Sequence, residues 1–413
     1  MARGTRRKLV FAIAVVCIVV AGGAIWLRYV HIAAPPAALV LTRVGFADLS
    51  GWKTSDARSA LAAFRRSCTI FSRQPSSAAL GGVGYGGSVA DWQAVCAAVP
   101  AGNIEASAAR AFFEKRFTAF AVASAGSPDA LFTGYYEPLV HASRRRHGPF
   151  QAPIYGLPND LVTANLGLFR TSLKGERISG RIENHDLVPY YTRAEIDAQG
   201  LEAAPVLAYS DDPITVFFLQ IQGSGRAVLD AGETVRLAFA GQNGRPYTPI
   251  GRTLIHRGAI FAHQMSMQAI RRWLASHPAD ARLVMESDQS FVFFRETALG
   301  DPSLGSPGSE GVPLTPGASI AVDEHIHPLG VPFFVAANAP AADPARPDNR
   351  LDRLFIAQDT GGAIRGARRA DVFWGFGQIP ESIAGRMKSI GMLYVLLPNG
   401  LASRMADARF TLP

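Results

Sequence analysis

Three aspartates are the side chains in this sequence best placed to do chemistry. Asp323, Asp359 and Asp371 each lie at the end of a strand-like pattern in the last third of the chain, beside glycine, proline or aromatic residues. Asp359 opens DTGGAIRG, where glycines let backbone come close to a site. Asp371 precedes FWGFG, in which Phe373, Trp374 and Phe376 supply an apolar wall. A carboxyl group against such a wall is disfavoured in its charged form, so its pKa rises and it can keep a proton near neutrality, as a general acid must. The plainer alternative is that all three cap turns through side-chain to backbone hydrogen bonds, a common use of Asp.

Other chemistries have less support. His325 and His327 alternate along a strand pattern and so share a face, but no Cys, His or Glu partner stands at a zinc-site spacing. There is no Gly-x-Ser-x-Gly elbow, and the segment QGSGR at Gln222 to Arg226 lacks a strand-to-helix context. The glycine-rich GGVGYGGS at Gly81 to Ser88 lacks the Lys-Ser/Thr ending of a phosphate-cradling loop and is expected to be a flexible loop. No metal and no cofactor is expected.

The elements that must position the aspartates are mostly strands. From about Leu131 to Phe294, short β-rich runs such as FTGYYEPLV, ITVFFLQIQGSG and ETVRLAFAG are punctuated by Gly, Pro and Asn, which suggests a small barrel or sandwich interrupted by one helix around His263 to Ser276. From about Gly311 the pattern is again strand-like, and some six strands imply a closed barrel, broken by a surface loop at Ala339 to Arg350. Before Leu131 two helices are expected: one capped by Ser55 or Asp56, with Leu61, Phe64, Cys68 and Phe71 on its apolar face, and one carrying Phe113, Phe117 and Phe120.

The N-terminus determines where the body works. Leu9 to Leu27 is a run of nineteen uncharged residues, close to the ~20 that cross a bilayer as a helix. Arg3, Arg6, Arg7 and Lys8 precede it, so the positive-inside rule leaves the N-terminus in the cytoplasm and exports the body. A cleaved signal peptide is the rival, since Ala21 to Ala24 are small residues. Without this basic segment and Arg28 the net charge drops from +8 to +3, so charge does not call for a nucleic-acid partner. Cys17 lies inside the span after Val16, an unsuitable neighbour for lipidation, leaving Cys68 and Cys96 in the exported body. An oxidising compartment favours a disulfide between them, with two buried unpaired cysteines as the alternative.

Four segments, FTGYYEP at Phe132 to Pro138, VFFLQIQGSGR at Val216 to Arg226, AGQNGRPYTPIG at Ala240 to Gly251 and AQDTGGAIRGARRADVFWGFG at Ala357 to Gly377, resemble the membrane-bound lytic transglycosylase A (MltA) family in order and spacing. The resemblance covers about Cys68 to Pro398, and its last segment is similar to the three-aspartate "3D" domain. It implies a mainly β fold: a double-psi β-barrel built from both ends of the chain, with a second β-barrel-like domain inserted. The expected divisions are a basic segment at 1–8, an anchor at 9–27, a linker at 28–45, a helical part at 46–131, the insert at 132–294 and the 3D barrel at 295–413.

The same resemblance implies a lytic transglycosylase that cleaves the β-1,4 bond between N-acetylmuramic acid and N-acetylglucosamine of peptidoglycan, leaving 1,6-anhydromuramoyl ends. Asp371 would be the single acid and then base, Asp359 the supporting carboxylate and Asp323 structural, with the roles of Asp359 and Asp371 exchanged as an alternative. Thr133, Tyr135, Tyr136, Gln222 and Ser224 would contact glycan, although strand alternation allows only one of the two tyrosines to do so. The N-terminal span departs from the lipoprotein signal of better-known members, which favours an anchor in the inner membrane of a Gram-negative bacterium with the body in the periplasm. Cell-wall synthesis or division machinery is a further expected partner. A peptidoglycan hydrolase and a non-catalytic glycan-binding module are the competing readings.

Overall fold

The computed structural model describes residues 38–173, 175–405 and 408–412, so the apolar span at Leu9–Leu27 and Cys17 lie outside the described residues. Among the described residues, no helix is long and apolar enough to cross a membrane.

The chain begins its described course with β1 (Ala38–Val44), α1 (Arg58–Phe71), α2 (Val89–Cys96), α3 (Ala106–Arg116), β2 (Phe117–Ser124) and β3 (Asp129–Glu137). The stretch expected to be linker up to residue 45 is therefore partly a strand. In ALVLTRV, Leu39 and Leu41 alternate into the core while Ala38 and Val40 stay half-buried and Thr42 is exposed. β1 pairs antiparallel with β2. Phe117 and Phe120, expected on a helix, belong to β2, because α3 ends at Arg116 and the chain turns extended at Phe117.

An excursion follows: β4 (Leu139–Ser143), β5 (Ala152–Tyr155), β6 (Val162–Asn165), β7 (Arg177–Glu183), β8 (Asp186–Pro189), α4 (Arg193–Gln199), β9 (Val206–Ser210), α5 (Pro213–Gln222), β10 (Gly225–Leu229), β11 (Thr234–Gln242), α6 (Ile250–His256), α7 (Met267–Ser276), α8 (Pro278–Glu286) and β12 (Val292–Thr297). Six of these strands form a sheet in the order β12-β11-β10-β4-β9-β5. A parallel bridge from Gly156 to Phe294 brings its two edges together. Its interior is filled by Val140, Ile154, Leu219, Leu229, Leu237 and Phe294. The run expected to be a strand at Ile214–Gly225 is α5. Asp212 accepts the Ile214 N–H at 2.9 Å as N-cap, Pro213 opens the first turn, and Gly223, with φ of +78°, closes it.

The last third supplies β13 (Ser319–Val322), β14 (Pro332–Ala339), β15 (Asn349–Thr360), β16 (Arg369–Phe376), α9 (Gln378–Ala384), β17 (Lys388–Pro398) and β18 (Ala408–Thr411). Together with β3 they close a six-strand ring, β14-β15-β13-β16-β3-β17 and back to β14. Two pairs in the ring, β13 with β15 and β16 with β3, are parallel, as in a double-psi barrel. β2, β1 and β18 extend the sheet outward from β17. The start of the insert at 132 falls inside β3, which keeps pairing with β16 as far as Glu137; the chain leaves the larger barrel at Pro138.

The main core lies between this barrel and α1 to α3, where Trp52, Phe64, Trp92, Phe113 and Phe117 are packed together. Each large apolar side chain so buried contributes roughly 1.5–3 kcal/mol. Cys68 near the end of α1 is bonded to Cys96 at the end of α2, with Cα atoms 5.5 Å apart. The glycine-rich loop at Gly81–Ser88 is pinned rather than free. Its Tyr85 is buried with the hydroxyl 2.7 Å from His327 Nδ1, and Trp92 Nε1 donates to Gly86 O at 2.8 Å.

Candidate active site

Strand register brings the site together. Ala321 on β13 is the partner of Asp359 on one side and of Asp371 on the other. Asp371 is in turn the partner of Thr133 on β3, and Thr133 of Lys388 on β17. One row across the barrel therefore reads Asp359, Ala321, Asp371, Thr133, Lys388. A bulge makes this row possible. Ile320 faces Ala357 but the next residue, Ala321, faces Asp359, so Gln358 is left over and Asp359 is re-aimed. Gln358 turns into the protein and is fully buried, with its Nε2 donating to Ala63 O and Ser67 Oγ, both at 3.0 Å.

The two carboxyl groups sit in different surroundings. Asp359 Oδ1 accepts the Ser309 N–H at 3.0 Å, the Ser309 hydroxyl at 3.1 Å and the Thr360 N–H at 2.9 Å, while Oδ2 accepts the Tyr135 hydroxyl at 2.8 Å. Asp371 Oδ1 accepts a short hydrogen bond from the Thr133 hydroxyl. Among the described residues its Oδ2 has no protein donor. Burial raises the pKa of both carboxyls; Asp359 is opposed by the Tyr135 and Ser309 donors, Asp371 by Thr133 and the Arg369 guanidinium. Burial together with Asp359 also holds the Tyr135 hydroxyl well above its usual range, so it stays a donor.

A small apolar cluster of Tyr135, Leu314, Ala321, Ile364 and Phe373 backs the two acids. Phe373 lies two residues beyond Asp371 on the same strand face, and its ring is 5.2 Å from that of Tyr135. Trp374 and Phe376, expected in this wall, are not part of it. Trp374 points to the opposite face, where its Nε1 lies 3.3 Å from Met387 Sδ and its ring leaves no room for a Cβ at Gly134. Phe376 carries the Arg226 guanidinium 3.3 Å above its ring.

The other sequence-predicted residues divide. Thr133 and Tyr135 join the acids directly. Tyr136 points the other way, as strand alternation requires: it is 1% exposed, and its hydroxyl lies 3.7 Å from Met267 Sδ on α7. Gln222 at the end of α5 accepts the Tyr136 N–H at 3.0 Å, so it holds the backbone of β3. Ser224 is half-buried in the turn after it. Asp323 is buried and away from the pair. It accepts the Gly366 N–H at 2.7 Å and faces His325 and Arg365, an arrangement that lowers its pKa against its own desolvation. His325 and His327 do not share a ligand position: His325 lies against Asp323, whereas His327 is buried between Tyr85 and Ala367 O.

Four residues of the site escaped the sequence reading, among them Lys388, the partner of Thr133 on β17. Ala321 had no chemistry to advertise. Ser309 sits in a Gly/Pro-rich loop with no periodicity. Arg369 stood in view two residues before Asp371, and strand alternation was the signal that it shares the face of the acid.

Comparisons with known proteins agree on one family. The MltA specific insert domain matches residues 131–295 and the 3D domain residues 318–397. The membrane-bound lytic murein transglycosylase A of Vibrio cholerae is 33% identical over 294 residues, covering 69% of each chain. The crystal structure of a membrane-bound lytic murein transglycosylase from Agrobacterium tumefaciens superimposes with a TM-score of 0.76 at 31% identity, over 88% of this chain and 99% of that one. The crystal structure of MltA from Escherichia coli with bound chitohexaose gives a TM-score of 0.58 at 27% identity, over 88% and 94%.

Proposed function

Since the chain belongs to the MltA family, we propose that it cleaves peptidoglycan glycan strands with Asp371 as the only proton-transferring group. The enzyme is a peptidoglycan lytic transglycosylase. The observation that carries the mechanistic reading is the unequal donor count on two acids of the same row. Asp359 accepts four hydrogen bonds, all from groups that donate, and is suited to remain a carboxylate. Asp371 accepts one and keeps Oδ2 for a proton.

In this reading Asp371 gives its proton to the glycosidic oxygen as the bond from muramoyl C1 breaks and positive charge develops at C1 and the ring oxygen. The ionised Asp359 stabilises that charge across the row. The Asp371 carboxylate then takes the proton of the muramoyl C6 hydroxyl, whose oxygen closes on C1. The 1,6-anhydro ring forms, the acid regains the proton it lost, and no water is consumed. Thr133 and Tyr135 border the reacting atoms, and Gln222 and Ser224 lie at the junction with the insert, where further sugar units would be held. The apolar span at Leu9–Leu27 would tether the body to the inner membrane on its periplasmic side.

Mass spectrometry of peptidoglycan digested by residues 35–413, beside the Asp371→Asn variant, tests this. Anhydromuropeptides from the wild type alone are expected. Reducing ends instead would establish a hydrolase; anhydro products from both proteins would move the acid to Asp359; and glycan binding without turnover by either would leave a binding module.

A further inference from the structure

The hydroxyl of Thr133 can donate only one hydrogen, and Arg369 decides where it goes. Arg369 Nη2 lies 2.7 Å from Thr133 Oγ1, and a guanidinium has donors but no acceptor, so Thr133 must accept from it. Asp371 Oδ1 is the one acceptor that Thr133 Oγ1 reaches among the described residues, so the single hydroxyl hydrogen goes there. The guanidinium is itself held in place, with Nη1 donating to Ala370 O at 2.7 Å. Register explains the triangle: Arg369 and Asp371 are two residues apart on one face of β16, and their partners on β3 are Leu131 and Thr133.

We infer that Arg369 is a positioning residue for the acid: by fixing the Thr133 hydroxyl as a donor to Asp371 Oδ1, it confines the acidic proton to Oδ2. This inference rests on Asp371 being the acid. An acid free to carry its proton on either oxygen would spend part of its time with the proton pointed into the barrel wall. With Oδ1 occupied by a donor, a protonated Asp371 carries the proton on Oδ2, which no described protein group hydrogen-bonds and which is therefore available for proton transfer to a bound glycan. The charged and titratable groups around Asp371 are few: Arg369 on its own strand, Asp359 on β15, Tyr135 on β3 and Lys388 on β17 beyond Thr133. Of these, Arg369 is the cation that acts on Asp371, and it opposes the effect of burial.

The test compares Arg369→Met, Arg369→Lys, Thr133→Val and Thr133→Ser in kcat, KM and the pH profile of anhydromuropeptide release. Arg369→Met is expected to lower kcat about 10- to 100-fold with little change in KM, the scale of a lost hydrogen bond to a charged group. Because the Arg369 charge favours ionised Asp371, its removal raises the pKa of the acid and moves the alkaline limb of the profile to higher pH. Thr133→Val is expected to shift the limb in the same direction and keeps the test usable if Arg369→Met does not fold. The double variant should fall little below Thr133→Val alone, since both act on one hydrogen bond. Arg369→Lys and Thr133→Ser should recover most of the loss.

Additive losses with an unmoved pH profile would overturn the inference. A titration of the Asp371 carboxyl carbon by NMR reads the same pKa shift without turnover. A wild type that forms no anhydro products would refute the proposed reaction, while an Asp371 pKa unchanged in Arg369→Met would refute the positioning role alone.

Discussion

Asp359 and Asp371 are both register partners of Ala321, one across a parallel pairing with a bulge and the other across an antiparallel one. Two carboxyls flanking one strand have Cα atoms roughly 10 Å apart, twice the interstrand spacing, and the residue between them carries only a methyl group. That methyl group is buried in the apolar cluster behind the acids, where a larger side chain would have to displace its neighbours. Burial is the main cause of the raised Asp371 pKa, and repulsion from Asp359 adds a smaller part.

Ala321→Leu should therefore abolish most activity at modest cost to the fold. The added side chain would enter a cluster with Leu314, Ile364 and Phe373, and overpacking of this kind costs about 1–3 kcal/mol. Displacement of a reacting group by about 1 Å is expected to lower kcat roughly 100-fold. The melting temperature and the rate of anhydromuropeptide release, measured on the same preparation, separate the two effects. Full activity in Ala321→Leu would mean that the packing between the acids does not set their geometry.

How much of this was legible in the sequence depended on whether a feature is local. The candidate acids were, because Asp beside glycine or aromatic residues is visible in a short window. The closed barrel was also legible as a count of strand-like runs. The row itself was not, because β3 and β16 are paired across more than two hundred residues, and Ala321 carries no chemical label. α5 was misread for a different reason: Val216 to Gln220 are buried whichever way they point, so the apolar run VFFL shows no helical period. Asp212, Pro213 and Gly223 carried the helix signal at its ends.

Glu310 lies next to Ser309, and burial pushes its pKa up to about 7. Its Oε2 accepts the Ser67 hydroxyl at 2.8 Å, and its Oε1 is buried without a partner among the described residues. A carboxyl with a raised pKa loses stability for the fold as pH rises, because the unfolded chain releases the proton near 4.5 and the folded one only near 7. Glu310→Gln removes this penalty. The variant should match the wild type at pH 4.5 and exceed it at pH 8 by up to about 3 kcal/mol in urea unfolding. A constant difference at both pH values would show that Glu310 does not titrate in this range.

Glu137 sits at the last position of β3, where the chain crosses to the insert, and is fully buried. It accepts Arg226 Nε at 3.0 Å and the Ser306 N–H at 2.5 Å, with Arg236 Nε 4.0 Å away. Arg226 comes from β10 of the insert, so this ion pair ties one barrel to the other. Glu137→Ala leaves two buried guanidinium groups without their carboxylate, which is expected to cost about 3–5 kcal/mol. Differential scanning calorimetry should show a lowered transition, and Glu137→Gln, which keeps an acceptor but not the charge, should fall between the variant and the wild type. Wild-type stability in Glu137→Ala would mean that the junction is held by packing alone.

His327 is fully buried, and its two nitrogens are both used. Its Nε2 faces Ala367 O at 2.8 Å, an acceptor only, so Nε2 carries the hydrogen and Nδ1 accepts the Tyr85 hydroxyl at 2.7 Å. The ring is thereby neutral, and burial lowers its pKa to about 4. The unfolded chain takes up a proton near 6.5 while the folded one does not, so the stability contributed by neutral His327 is complete above pH 6.5 and is lost as pH falls toward 4. The loss amounts to roughly 3 kcal/mol across that window. Asp323, whose pKa is lowered, adds a loss of the same sign only at more acidic pH. Ala367 leads directly into β16, which carries Arg369 and Asp371, so the same contact anchors the strand of the acid. Urea midpoints measured from pH 7 to pH 4 should fall steeply for the wild type, whereas His327→Gln should start lower at pH 7 and follow a shallower slope. An identical slope in the two proteins would place the acid sensitivity elsewhere.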